Sequence, residues 1–196
     1  HPMQRRKFTA LIASIAGMFG IQGRARAASL TELDAASGVR TALERGALAA
    51  VGLLGKTDGF LGNPKVRIPL PGFLEDAAKL LKATGQQKRV DELVTAMNRA
   101  AEAAVPEAKS LLIGAVKSMS VEDARQVVTG GENSVTQFFV GKTREPLGVK
   151  FLPIVTRATE KVSLASKYNA VAGKAAGLGL VEKEDANVQQ YVTGKA

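Results

Sequence analysis

The sequence predicts an all-α protein: a multi-helix bundle with one long Gly/Pro-rich loop, preceded by a signal peptide. Three observations carry this reading. Apolar residues recur at steps of three and four over most of the chain, the spacing that places them on one face of a helix. Aromatic residues make up only 5% of a chain that is 45% hydrophobic, and Trp is absent, so the core is expected to be Leu, Val and Ala between closely approaching helices. Residues 55–72 hold four glycines and three prolines and interrupt the helical spacing at length.

Taken in order, His1 and Pro2 stand ahead of Met3 and are read as residues added before the natural start. A basic stretch, Gln4-Arg5-Arg6-Lys7, then leads into a weakly apolar run from Phe8 to Ile21 and on to Ala25-Arg26-Ala27. This is the pattern of a cleavable export signal with an A-x-A site. Cleavage is expected after Ala27, placing the mature chain in the periplasm. The apolar run is roughly 14 residues, short of the ~20 that span a bilayer, so no permanent membrane span is expected. Arg5-Arg6-Lys7-Phe8 resembles the twin-arginine export motif, although Gln4 stands where Ser or Thr is usual and Thr9 where Leu is usual. The general secretory route is the alternative, and an amphipathic first helix is the blander reading of the same residues.

A single helical domain is expected over residues 28–196. Ser29-Leu30-Thr31-Glu32 has the spacing of a capping box and announces a helix over about 30–54, with Leu30, Leu33, Val39, Leu43, Ala47, Val51 and Leu54 on its apolar face. Gly38, Gly46 and Gly52 each cost up to ~1 kcal/mol against Ala in a helix, so they are expected to mark close helix contacts or a break. The 55–72 segment suits turns followed by an extended stretch. Phe60, Leu61, Val66, Ile68 and Leu70 give it apolar side chains to tuck against the bundle.

Helical spacing resumes in three runs: from Phe73 to Leu81, from Val90 to Ala104 after Gly85, and from Ala108 to Met119 after Pro106. Ser120-Val121-Glu122-Asp123 caps a short helix that Gly130-Gly131 ends, and Asn133 or Ser134 starts another through Phe138-Phe139. Pro146 suits the first residue of the next helix, whose buried stripe is Leu147, Phe151, Val155, Ala158 and Val162 and which Pro153 should kink. A helix over about 164–176 precedes a turn at Gly177 and Gly179. The last helix starts near Asp185 and is still running at Ala196, so the domain is expected to be shortened at its C-terminus.

The formal charge of +9 would suggest a polyanionic partner if it were spread over the domain. It is not. Residues 1–27 hold five basic side chains (Arg5, Arg6, Lys7, Arg24 and Arg26) and no acid, so the remainder carries 22 basic against 18 acidic residues, a net +4. Those basic residues are interspersed with acids, and no nucleic-acid role is expected. The chain has no cysteine and one histidine, His1, which leaves out disulfides, thiolate or imidazole metal sites, Ser-His-Asp triads and Cys-His pairs. Gly55-Lys56-Thr57 ends like a phosphate-binding loop but lacks its upstream glycine. No cofactor and no metal are expected.

Among polar candidates, Asp58, Phe60 and Asn63 mark the loop, where Asp58 to Asn63 would offer oxygen ligands to Ca²⁺ but lacks the alternating acids of a calcium loop and reads more simply as a turn. Lys65 and Arg67 beside the prolines, and Lys142 and Arg144 after Phe138-Phe139, are candidate donors to an anionic ligand, with ordinary surface charges as the alternative. Tyr168 and Asn169 could add a hydroxyl and an amide to a pocket, or simply cap the core.

Four segments resemble a known family: Gly-Phe-Leu-Gly-Asn-Pro-Lys-Val-Arg-Ile-Pro-Leu-Pro over 59–71, Phe138-Phe139 with Lys142-Thr143, Phe151-Leu152-Pro153-Ile154-Val155, and Lys167-Tyr168-Asn169. They resemble an uncharacterised family of exported proteobacterial proteins, domain of unknown function 4197, over about residues 29–196. The resemblance implies an α-helical periplasmic or envelope protein whose relatives run further past the segment corresponding to Tyr191–Ala196. It implies no activity, substrate or catalytic residue.

The expectation is a non-enzymatic periplasmic binding or interaction protein, whose partner is an envelope protein or a small anionic or amphipathic ligand met near the 55–72 loop. The alternatives are a carrier with an apolar tunnel for lipid, and an enzyme using carboxylates such as Asp58, Glu75 and Asp76, which would need paired acids whose pKa values are driven apart.

Overall fold

The computed structural model of the protein describes residues 32–196. The signal reading over residues 1–27 and the Ser29 cap lie outside the described residues. Within them the chain is all-α, a multi-helix bundle without a strand. Its helices are α1 (Glu32–Leu54), α2 (Glu75–Ala83), α3 (Gln87–Ala104), α4 (Ala108–Lys117), α5 (Val121–Thr129), α6 (Ser134–Thr159), α7 (Ser163–Gly177) and α8 (Val188–Lys195). Short 3₁₀ turns precede α2, α4 and α8. The described residues group into two compact units, residues 32–53 with 108–147, and residues 54–107 with 148–196.

In the first unit α1, the α4–α5 link, α5 and the first part of α6 share a small core. Ala36, Met119 and Ala124 are buried, with Val39, Leu43, Val121, Val127 and Phe138 packed against them. Leu33, expected on the apolar face of α1, is exposed; Ala36 takes the inward position one turn on. Neither a break nor a close contact marks Gly38, Gly46 and Gly52, because α1 is continuous and a Cβ built at each would meet nothing within 4 Å. Arg40 ties α1 to the α4–α5 link, donating from Nε and Nη2 to the Met119 carbonyl at 3.0 and 2.7 Å. Arg125 pairs with Glu32 across the same unit.

Helix α5 begins as its sequence predicts. The Ser120 hydroxyl accepts from Asp123 N–H at 3.0 Å while the Asp123 carboxylate accepts from Ser120 N–H at 3.0 Å, a reciprocal box that satisfies two backbone donors. The Ser120 backbone bond holds the Asp123 carboxyl below its ordinary range despite partial burial; the Ser120 hydroxyl and nearby Lys142 add to the effect.

The expectation that Pro146 opens a new helix is corrected. Helix α6 runs unbroken from Ser134 through Pro146 and Pro153 to Thr159. Each proline removes a donor from the carbonyl four residues back, but both prolines, Lys142 and Val149 are exposed, so those carbonyls can bond water instead. Residues 134–147 belong to the first unit and 148–159 to the second. On the latter stretch Phe151, Val155 and Thr159 are buried and Ala158 is exposed, so the inward stripe ends on Thr159, whose hydroxyl donates back to the Val155 carbonyl at 2.8 Å.

In the second unit α3 is the central element, packed against α2, α7 and α8. Its buried face is Val90, Leu93, Met97, Ala100, Ala101 and Ala104. The alanines let neighbouring backbones approach closely, which is how a chain poor in aromatics fills a core. The last helix starts later than Asp185. Asn187 caps it, its side-chain oxygen accepting from Gln190 N–H at 2.8 Å, while Lys183–Asp185 form a 3₁₀ turn.

Candidate functional site

Residues 55–71 contain no helix. Asp58 adopts φ +64, a left-handed turn conformation that Asp tolerates better than most side chains. Its carbonyl accepts from Gly62 N–H at 3.1 Å, and a Cβ on Gly62 would lie 2.8 Å from the Asp58 Cβ, so residue 62 has to be glycine for the turn to close. Asn63 makes the next turn: its carbonyl accepts from Arg67 N–H at 2.8 Å and its side-chain oxygen from Lys65 N–H at 3.1 Å. Phe60 and Ile68 are fully buried in the second unit.

Four side chains hold this loop. Asn98 of α3 accepts from Ile68 N–H at 2.8 Å and donates to the Ile68 carbonyl at 2.9 Å and the Val94 carbonyl at 2.8 Å. One turn further along α3, Glu102 accepts from Phe60 N–H at 3.1 Å and Leu61 N–H at 3.0 Å. Arg99 bridges the Glu102 and Asp58 carboxylates at 2.8 and 2.9 Å. Burial pushes the Glu102 carboxyl up, but the bonds from Leu61, Arg99 and Phe60 outweigh it and hold the group below its ordinary value. From α8, the Tyr191 hydroxyl donates to the Pro69 carbonyl at 2.6 Å. A loop with few backbone partners of its own thus borrows them from side chains.

The candidate ligand residues fall into both units. Lys142 and Arg144 lie on α6 in the first, both exposed, Lys142 close enough to Asp123 to influence its charge. Lys65 and Arg67 lie on the loop in the second; Arg67 folds back to donate to the Leu61 carbonyl at 3.5 Å. Tyr168 is buried, edge-on to Phe73 and stacked obliquely with Tyr191, its hydroxyl 3.4 Å from the Asp185 carbonyl. Burial pushes both phenols well above their ordinary range, with charges nearby adding to it. Asn169 accepts from Val188 N–H at 2.8 Å and donates to Gln189 at 3.2 Å, joining α7 to the start of α8.

Asp58 is paired with Arg99, and Glu75 and Asp76 stand exposed on the first turn of α2, Asp76 opposite Lys79. Lys88, Asp91, Glu92 and Thr95 of α3 form an open surface groove with Lys161 and Val162, where charges of both signs alternate. Among the described residues no group of three or more His, Cys, Asp or Glu is placed to hold a metal ion, and no helix is long and apolar enough to cross a membrane.

Sequence reasoning passed over Asn98, Arg99 and Glu102. A signal was present: Asn98 and Glu102 are four residues apart, on the side of α3 that otherwise presents Val90, Met97 and Ala101 inward. A polar pair at that spacing on a buried face is a backbone clamp waiting for a segment without secondary structure.

The family model that matches is described as "Protein of unknown function (DUF4197)", and it covers residues 29–196. The chain belongs to this family. The DUF4197 match therefore takes in the loop, its α3 clamp and every described helix. No curated protein and no solved structure matches the chain.

Proposed function

We propose that this DUF4197 protein is a non-enzymatic periplasmic helical interaction protein that works through an exposed surface of its second unit. One observation carries the reading. Val171, Leu178 and Leu180 are 52%, 75% and 73% exposed on α7 and the turn that follows it. Apolar side chains so exposed and so close together suit contact with a partner. The polar residues that would serve a pocket support the same reading, since Tyr168 and Asn169 spend their hydrogen bonds on the α8 segment and Arg67 on its own loop. Periplasmic location rests on the basic, apolar and A-x-A pattern of residues 3–27.

The test is made in cells. A photoactivatable diazirine residue is placed at position 180, and at exposed Val128 of the first unit as control, in the full chain. The proposal expects the protein in the periplasmic fraction and an irradiation product specific to position 180. A cytoplasmic protein, or equal labelling at both positions, removes it.

A further inference from the structure

The surface just described is more specific than an apolar patch. Lys167, Val171, Lys174 and Leu178 follow one another at steps of four, three and four, so they form a single ridge along the solvent side of α7, and all four are exposed. Beside the ridge run Ala170, Gly173 and Gly177, also exposed and too small to stand in its way. Helix α7 contains no acidic residue, and no carboxylate in the described structure pairs with Lys167 or Lys174.

The far end of the ridge is built, not loose. Gly179, at φ +73, turns the chain at the end of α7, Gly179 N–H bonds the Ala176 carbonyl at 3.0 Å and Leu180 N–H bonds the Ala175 carbonyl at 2.9 Å. These are the two bonds of a Schellman closure, in which the residue after the glycine usually packs back on the helix. Here Leu180 instead points to solvent beside Leu178.

Resting on the surface reading above and naming its partner class, we infer that the α7 ridge is a peripheral docking surface for an anionic lipid bilayer. Charge complementarity selects the partner. Two unpaired lysines want anionic groups, while Val171, Leu178 and Leu180 want hydrocarbon, and the headgroup boundary of a bilayer offers both within one side-chain length. Lysine stems lie along apolar surface while their ammonium groups reach phosphate. A nucleic-acid backbone would leave the apolar residues unserved. No described helix is long and apolar enough to cross a membrane.

The chain has no cysteine, so a single label can be placed without other changes. The full chain carrying Leu180→Cys is labelled with an environment-sensitive fluorophore and mixed with vesicles of phosphatidylcholine alone or with a large fraction of phosphatidylglycerol. A blue shift is expected with the anionic vesicles only. It should weaken about fivefold in apparent affinity for each lysine neutralised, at Lys167→Gln or Lys174→Gln, and fade as salt is raised. A probe at Val128→Cys should not respond, so association through any other segment is told apart. An unshifted probe at 180, an equal shift with neutral vesicles, or a shift indifferent to both lysine substitutions overturns the inference. A protein crosslink from position 180 together with an unshifted probe would leave the surface reading standing and remove the bilayer.

Discussion

Asn98 treats Ile68 as a strand treats its neighbour, accepting from its N–H at 2.8 Å and donating to its carbonyl at 2.9 Å. Both residues are buried, so neither half of the exchange can be handed to water. Asn98→Ala strands both backbone groups and should cost about 2–4 kcal/mol, read by urea denaturation. It should also open the 59–71 segment to limited proteolysis. Wild-type stability with an uncut loop in the variant would show that the loop is held elsewhere.

Glu102 makes the clamp sensitive to acid. Its folded carboxyl lies below the ordinary 4.5, so its contribution is complete above that value and is lost as pH falls through the folded pKa. Hydrogen exchange at Phe60 and Leu61 N–H should therefore accelerate below about pH 4.5, after correction for intrinsic rates. In Glu102→Gln the protection should be weaker at neutral pH and lack this step.

The chain has two tyrosines, Tyr168 and Tyr191, and both are buried. Phenolate absorbance should therefore stay flat through the usual tyrosine range near pH 10 and rise in one step when the protein unfolds. Tyr191→Phe leaves the Pro69 carbonyl without its donor and should lower stability by about 1–2 kcal/mol. A smooth titration near pH 10 in folded protein would contradict the packing of α7 and α8.

Two glycine substitutions should move in opposite directions. Gly62→Ala drives a Cβ to 2.8 Å from the Asp58 Cβ and should destabilise the loop, whereas Gly114, inside α4 with nothing within 4 Å, should gain about 0.5–1 kcal/mol as alanine. Thermal melts of the two variants check both signs.

The helices were largely legible because their information is local. Apolar spacing over 87–104 and the Ser120 box with Gly130 are read within a few residues. Pro146 misled for a physical reason: a proline inside a helix costs least where the freed carbonyl reaches solvent, and exposure is a property of the fold. The loop clamp joins residues 30 to 42 positions apart, and Tyr191 reaches Pro69 across 122, so no window along the chain contains these pairs. The α7 ridge was visible as Lys167, Val171, Lys174 and Leu178, but the same spacing describes a buried stripe with two lysines at its edge. Only the packing of Ala165, Tyr168 and Ala172 inward decides which face is left for solvent.

The claim that this protein binds through a surface, with no tightly enclosed small molecule, is tested most directly by native mass spectrometry of the chain purified gently from the periplasm, before and after unfolding. The account predicts the mass of the polypeptide alone in both spectra. A stoichiometric small-molecule adduct that is present on the folded chain and lost on unfolding would contradict it.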